Sequence, residues 1–556
     1  FFSKIVSRTS AARRDLPRSS FDFQFADNPV INILMNLSFL KQGYLFGADR
    51  MLDGFLRQED LCFTLMNEIA PKIKLEDFEE MYKEGGRPPI SPKVLLLVLI
   101  MQFIERLSDR AAADNLRFRI DWKIFLDLEL DFRGIHATTL VKFRERLLKN
   151  DKATYAFDKV IEHLVESGFV KQGSKQRIDS THIIGKVREL SRLELFHETL
   201  RLCCVDVVHL FSEMPKIELQ LAEYYFEEIS IRGVSEAQKK KFIREAGTAM
   251  RVLSEWANLD ADIAGLKSFQ TMKKIFSQNF KDADPDPDGP ELIEVATGKD
   301  HVSSPHEPEA RFANKGGKGW LGYKAQIAET VDNECGVNFI THADINNATD
   351  HDGFEIKNYI ENQIDLGTAP AKVYGDTHYN SAKNIGDLSS IGIELQGPVV
   401  PLKSIKKPEN EGFEVDIESN KTKCLAGKVA EKNHLIEGGA KMKSRFSSSD
   451  CVECPRRDIC KPQIRGKQVE LRIPNRHLKL RREQMETEEF KNDMNSRNGI
   501  EGTLSGLVRG QGLRNCRFRG KNKTRLQIKF SASAANIKRL HRKRLMEAKE
   551  YNENAA

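Results

Sequence analysis

Apolar residues follow the 3.6-residue helical period along the first part of the chain, from about residue 51 to 150. Pro92 suits a first helical position, Ser108 suits an N-cap, and Thr138-Thr139 after a glycine is expected to cap a third helix. The pattern therefore predicts an N-terminal all-helical domain over 51–150. Short helices of this kind suit a helix-turn-helix unit that reads DNA and suit an ordinary three-helix module equally well.

The pattern then changes to short apolar runs typical of strands, interrupted by more helices. A strand over 176–184 ends near an acid, and helical spacing predicts a helical insertion over 191–280. Pro-rich Asp282–Pro290 lies in a predicted linker over 281–309, because proline removes backbone donors. The remaining predicted elements are strands over 320–330, 336–343 and 371–375 and a helix over 352–366. This order favours an α/β fold whose core, a mixed sheet, is assembled from residues 170–190 and 310–403.

The totals indicate a polar globular chain of several structural units. Its 556 residues exceed what one core accommodates, and 40% are hydrophobic. The longest apolar run, Leu95–Phe103, is half as long as a membrane span, so no membrane partner is expected. No secretory signal is evident, so a cytoplasmic, nucleoid-associated location is expected. Residues 1–50 are expected to be a poorly structured leader from upstream translation, with Met35 or Met51 as the start.

A basic tract near the C-terminus suits a polyanion, because neutralised phosphates release condensed counterions. No acid interrupts the segment from 509 to 529, although the net charge of the whole chain is only +6. A solvated surface is the alternative for any charge run. Its basic residues are Arg509, Arg514, Arg517, Arg519, Lys521, Lys523, Arg525 and Lys529.

Three acids stand where phosphodiester chemistry can use them. Asp179 and Asp376 each end a predicted strand, and Glu501 lies on a helix. Three such carboxylates can converge on Mg²⁺, which prefers a few hard oxygen ligands. Each acid also has an ordinary explanation: a strand-terminal Asp often caps a turn, and Glu501 can pair with Arg497 one helical turn earlier.

The cysteines form a second candidate site. Nine is an odd number, which argues against a disulfide framework. Four are grouped and suit a structural Zn²⁺ ion or free reduced thiols equally well. They are Cys424, Cys451, Cys454 and Cys460, inside a polar insertion over 404–475.

Four segments in a fixed order carry a resemblance to a known family. The chain resembles bacterial insertion-sequence transposases of the DDE superfamily, in the branch with a helical N-terminal domain. The matching segments are Gly86–Arg110 with Thr138–Arg144, Asp179–His182, Trp320–Asp332 with Gly375–Tyr379, and Arg497–Thr503 with Gly512–Gly520.

The resemblance implies an RNase H-like catalytic core, completed by residues 476–545. It assigns Mg²⁺ (or Mn²⁺) binding to Asp179, Asp376 and Glu501. It also implies that the protein binds double-stranded DNA as a homodimer, and that this DNA includes both the terminal inverted repeats and the target. Cleavage would free 3′-OH ends that attack target DNA. Met494 stands where the family often has Tyr, which puts a supporting role there in doubt. Two alternatives remain: an inactive DNA-binding descendant and an RNase H-like nuclease.

Further residues are assigned supporting roles. Arg497 and Arg509 match basic positions of the family, and Arg497 is expected to hold a phosphate or orient Glu501. His182 and His378 suit a structural role better than a general base. Tyr323, Lys324, Arg514, Arg517, Arg519 and Lys521 are the candidate DNA contacts.

Overall fold

The computed structural model describes residues 55–82, 90–210, 235–281, 290–293, 300–400, 413–416, 419–436, 441–457, 468–472 and 476–555. The predicted leader over 1–50, the turn at 86–89, most of the Pro-rich linker and Cys460 lie outside these residues. Within them, no helix is long and apolar enough to cross a membrane.

The N-terminal region is helical, as predicted. The helix that begins at Pro92 is buried along almost its whole length, and Ser108 caps the next helix by accepting from the N–H of Ala111 (3.1 Å). The third predicted cap was at least two residues late: His136, not Thr138-Thr139, precedes the helix, and its Nδ1 accepts from the Thr138 N–H. The helices are α1 (Leu61–Thr64), α2 (Pro92–Ile104), α3 (Asp109–Phe118), α4 (Ile120–Phe125), α5 (Ala137–Lys149) and α6 (Tyr155–Glu166), with π- and 3₁₀-helical turns over Leu65–Lys72 and Glu76–Met81.

A mixed six-stranded sheet follows. Strand β3 pairs antiparallel with β1 on one side and with β2 and β4 on the other, and β5 and β6 extend the sheet parallel to β1. The predicted strand over 336–343 begins later because a turn with positive φ at Asp332 and Gly336 precedes it. The strands are β1 (Lys175–Ile184), β2 (Arg311–Lys315), β3 (Lys318–Thr330), β4 (Ile340–Asn347), β5 (Lys372–Tyr374) and β6 (Glu394–Gln396).

Helices cover both faces of this sheet. One face, represented by Ile178 and Ala328, packs against α11 (Ile356–Asp365) and α12 (Ala382–Ser390). The other face, represented by Ile183 and Ile327, shares one hydrophobic core with the N-terminal helices and with the long C-terminal helix α17 (Lys521–Ala555). Adjacent residues face opposite layers because strand side chains alternate.

The predicted helical insertion has a core of its own. Its helices are α7 (Arg192–Leu210), α8 (Glu236–Leu259), α9 (Ala261–Gly265) and α10 (Lys267–Asn279). The predicted stripe on α8 is buried at Phe242, Ala246, Ala249 and Leu253, and Trp256 packs against it partly exposed. This separate core allows the insertion to leave the sheet between β1 and β2 without disturbing their pairing with β3.

The region between the sheet and the C-terminal helix contains small sheets and short helices. Helical structure over 476–494 is divided near Thr487, whose hydroxyl accepts from the Phe490 N–H and starts a new helix. The elements are β7 (Glu414–Asp416), β8 (Lys421–Lys423), β9 (Lys432–Ile436), β10 (Lys441–Arg445), α13 (Ser448–Val452), β11 (Gln468–Arg472), α14 (Arg476–Met485), α15 (Glu488–Met494), a 3₁₀ turn (Asn495–Arg497), α16 (Ile500–Ser505) and a π-helical turn (Gly506–Gly510).

Candidate active site

Asp179 lies in the middle of β1 and not, as predicted, at a strand end, because the pairing of β1 with β3 continues to Ile184. Its side chain is largely buried. Its Oδ1 accepts from the Ser180 N–H (2.7 Å), and its Oδ2 accepts from Nη2 of Arg497 (2.9 Å). Burial raises the pKa of the Asp179 carboxyl above its usual value, and the negative charge of Asp376 raises it further. The Ser180 hydrogen bond and the positive charge of Arg497 oppose this effect only in part.

Asp376 stands beside Asp179 because of the parallel pairing of β1 with β5. Arg177 is opposite Tyr374 in this pairing, so each aspartate comes two residues after a matched position. The Asp376 Oδ1 accepts from the His378 N–H (2.8 Å), which closes a local turn after β5. The structure therefore brings two of the three predicted acids together, just beyond the paired residues of β1 and β5.

A third acid near this pair, Asp352, was missed by the sequence analysis. The buried hydroxyl of Tyr379 hydrogen-bonds to Gln326, and its pKa lies well above the usual value, first because of burial and then because of the charges of Asp179, Asp352 and Asp376. Asp352 is paired with Lys324 (2.9 Å). The only signal in the sequence was an acid shortly after a strand, a position that many turn residues share.

Glu501 lies on α16 with an exposed side chain. Arg497, one helical turn earlier, pairs with Asp179, so the helix that carries Glu501 is joined to the strand that carries Asp179. Glu501 itself is not in a shared cluster: among the described residues, no three His, Cys, Asp or Glu side chains stand close enough to hold one metal ion.

The predicted supporting residues His182, His378 and Arg509 differ in burial and in their neighbours. The His182 ring lies 5.0 Å from the Trp320 ring, and burial with the nearby charges of Arg514 and Lys315 lowers the pKa of His182. His378 is exposed, with its ring 5.4 Å from that of His351. Arg509 is exposed too, on the π-helical turn that follows α16.

Two of the predicted DNA contacts are held inside the protein. Tyr323 is fully buried, and its hydroxyl donates to Glu307 (2.9 Å). Lys324 is engaged with Asp352. Both side chains therefore stabilise the fold, and neither offers an open surface to a phosphate.

The four predicted DNA contacts in the basic tract differ in solvent exposure and in their hydrogen bonds. Arg514 donates to the His182 carbonyl (2.6 Å), and Lys521 donates to Asn347 (3.2 Å). Arg517 stacks on the Phe103 ring at 4.8 Å and is partly buried. Arg519 is exposed, which makes it the most available of the four.

The described cysteines do not form a metal cluster. Cys424, Cys451 and Cys454 are partly exposed and form no disulfide, and no group of three possible metal ligands occurs among the described residues. Cys460 lies outside those residues. The zinc site stays a prediction.

Comparisons with known proteins match two parts of the chain to transposases. Residues 423–541 match a family model described as a transposase DDE domain, and residues 50–146 match one described as a transposase domain (DUF772). The chain is thus related to insertion-sequence transposases of the DDE class, which confirms the resemblance. The first segment contains Glu501, and the second contains the N-terminal helices.

A solved structure is similar to a large part of the chain: a cryo-EM structure of the piggyBac transposase synaptic complex with hairpin DNA. The identity is 11%, the TM-score is 0.25, and the match covers 88% of this chain and 76% of that one. A comparison with curated proteins finds no significant match.

Proposed function

We propose that the chain is a DDE transposase that cleaves DNA at the ends of a mobile element and joins those ends to target DNA, using divalent metal ions held by Asp179, Asp376 and Glu501. The observation that carries the proposal is the proximity of Asp179 and Asp376, each two residues beyond the Arg177–Tyr374 pair of the parallel strands β1 and β5, next to the helix of Glu501. The related transposase DDE domain supports the chemistry.

The strand order supports an RNase H-like core. Strands β4, β3, β1, β5 and β6 lie in that order, with β3 antiparallel to β1 and with β5 and β6 parallel to it. An acid in the central strand, a second at the end of the neighbouring parallel strand and a third on a later helix suit that fold.

The donor set fits a divalent cation. The pKa of Asp179 is raised, first because the carboxyl is buried and then because the charge of Asp376 repels it. A cation beside the two carboxylates would relieve both the burial of the charge and the repulsion. When bound, the metal would supply stabilisation of the phosphoryl oxygens and activation of the attacking water or 3′-OH.

The chain's own residues would prepare this site. Arg497 holds Asp179 in place and is positioned to take up a phosphate once metal neutralises the aspartate. Tyr379 is buried beside the aspartates, and its hydroxyl donates a hydrogen bond to Gln326. Glu501 has to approach the aspartates by a movement of its exposed side chain.

DNA would approach along the exposed basic surface beside the aspartates. Lys315 lies close enough to influence the pKa of both Asp179 and His182, and the hairpin tip that carries it is exposed. Double-stranded DNA is the proposed partner, bound by a homodimer that holds two element ends, with the bacterial nucleoid as the proposed location.

Two assays test the proposal against its alternatives. The full chain is incubated with supercoiled plasmid carrying the DNA that flanks the gene, with Mg²⁺, Mn²⁺ or EDTA. Metal-dependent nicking is expected, and DNA binding with no nicking in either metal would identify an inactive descendant. Transfer of a labelled 3′ end into a second plasmid is expected as well, and nicking without transfer would identify a nuclease.

A further inference from the structure

A buried carboxylate with several partners lies directly behind the candidate active site. Glu329 on β3 is fully buried, and its Oε1 accepts from Nε of Arg177 (2.8 Å). Its Oε2 accepts from the hydroxyl of Thr503 on α16 (2.5 Å) and from Nη1 of Arg539 on α17 (2.9 Å). One side chain therefore connects β1, β3, α16 and α17.

Pairing in the sheet sets the geometry of this cluster. Arg177 and Glu329 are directly opposite each other in the antiparallel pairing of β1 with β3. Such cross-strand neighbours lie close together on the same face of a sheet. Because a buried ion pair is stable only when its polar atoms are satisfied, the positions of Thr503 and Arg539 are constrained as well.

The cluster holds the segment before and within α16 at two points. Nη1 of Arg177 donates to the Ser496 carbonyl (2.8 Å), and Thr503 is held by Glu329. Between these points the Arg177 guanidinium passes against Gly499. A Cβ atom on Gly499 would lie 2.1 Å from Nη1 of Arg177, so a side chain there would force the two apart.

Glu501 lies between the two fixed points and on the other side of the helix. Gly499 and Thr503 are four residues apart and share one helix face, whereas Glu501 is two residues from each. The fixed face is buried at Thr503, and Glu501 is exposed. The contacts behind α16 therefore set where the Glu501 carboxylate stands relative to Asp179.

We propose that Arg177, Glu329, Thr503 and Arg539 are positioning residues that fix the helix of Glu501 against the strand of Asp179, and that Gly499 is required because it lets Arg177 reach them. This inference rests on the proposed metal-dependent function. None of the four side chains is a proposed metal ligand or DNA contact. It acts by setting the separation of the metal ligands.

A pair of glycine substitutions tests this. Gly499→Ala pushes α16 away from Arg177, whereas Gly502→Ala, on the same helix, meets nothing within 4 Å. The measurement is plasmid cleavage by the full chain against Mg²⁺ concentration, with DNA affinity and melting temperature measured in parallel. For Gly499→Ala, the half-maximal Mg²⁺ concentration is expected to rise about tenfold at unchanged DNA affinity. Gly502→Ala should behave as the wild type.

A second pair removes the risk that Gly499→Ala does not fold. Thr503→Val removes the hydroxyl that donates to Glu329 and keeps the shape, and Thr503→Ser keeps the hydroxyl. The Val variant should need a higher Mg²⁺ concentration than the wild type, and the Ser variant should need the same concentration as the wild type.

The outcomes separate the two proposals. A lower melting temperature with an unchanged Mg²⁺ requirement in Gly499→Ala and Thr503→Val would show that the cluster only stabilises the fold, and it would overturn the inference. A rise in the Mg²⁺ requirement of Gly502→Ala equal to that of Gly499→Ala would overturn it as well. Absence of metal-dependent cleavage by the wild type would instead overturn the proposed function.

Discussion

Arg497 donates from Nη2 to the Oδ2 of Asp179 across 2.9 Å, and both side chains are mostly buried. The two residues are far apart in the chain, on the 3₁₀ turn before α16 and on β1. Their ion pair links the strand of Asp179 directly to the segment that leads into the helix of Glu501. A buried charge whose partner is removed is costly, so this link has a measurable energy.

Arg497→Gln should lower the free energy of unfolding of the metal-free protein by about 1–3 kcal/mol, because it leaves the Asp179 carboxylate buried with less compensation. The same substitution made in Asp179→Asn should cost less than half of that, since no charge remains to be compensated. Urea unfolding of the wild type, both single variants and the double variant measures this coupling. Additive effects would exclude a direct interaction.

Asp179→Asn alone should stabilise the metal-free protein. The folded-state pKa of Asp179 is raised, so ionisation above that pKa favours the unfolded state, and this penalty disappears at low pH. One pKa unit corresponds to about 1.4 kcal/mol, and the variant should gain stability at pH 7 but not at acidic pH. Asp365→Asn, at an exposed position, is the control. A less stable Asp179→Asn at pH 7 would contradict the charge assignment.

Buried His342 should make the protein sensitive to acid. Its pKa is lowered from 6.5 to about 3, first by burial and then by the charges of Lys529 and Arg525, against the opposing effect of Asp344. Since the unfolded chain binds a proton that the folded chain does not, the stabilisation is complete above pH 6.5 and is lost as the pH falls below it, by about 1.4 kcal/mol per pH unit.

His342→Phe keeps a ring beside Tyr359 and removes the titration. Unfolding by urea between pH 7 and 5 should show a weaker dependence on pH in this variant than in the wild type, whatever its stability at pH 7. The same pH dependence in both proteins would show that other groups cause the acid sensitivity.

Two neighbouring arginines should give different phenotypes. Arg519→Gln removes an exposed charge and should flatten the salt dependence of DNA binding by about one unit with unchanged stability. Arg517→Gln removes a cation that stacks on Phe103 and donates to the Leu107 carbonyl, so it should lower the melting temperature. Salt titrations of DNA affinity and thermal unfolding of both variants check this, and the reverse assignment would exclude Arg519 from the interface.

Much of the fold was predictable from local patterns. The strand of Asp179, the start at Pro92 and the Ser108 cap follow from periodicity and end signals that lie within a few residues. The start of β4 was predicted too early. The strand-like sequence pattern begins before Ile340, but positive φ at Asp332 and Gly336 makes a turn of the preceding segment.

The candidate site was predictable only as a set of residues. The proximity of Asp179 and Asp376 requires the register of β1 and β5, which joins positions nearly 200 residues apart. Burial of Tyr323 and Arg517 was missed for a related reason: a polar side chain in the sequence does not reveal the partner that satisfies it inside the fold. Asp352 and Glu329 became visible as parts of networks only through tertiary contacts.

The most direct test of the account compares DNA cleavage by Asp179→Asn, Asp376→Asn and Glu501→Gln with that of the wild type, at protein concentrations that give equal DNA occupancy. Each substitution removes one proposed ligand charge, so each should abolish Mg²⁺- and Mn²⁺-dependent cleavage and leave DNA affinity nearly unchanged. Retention of full cleavage by Glu501→Gln, or by either aspartate variant, would contradict the assignment of these three residues to one metal-dependent active site.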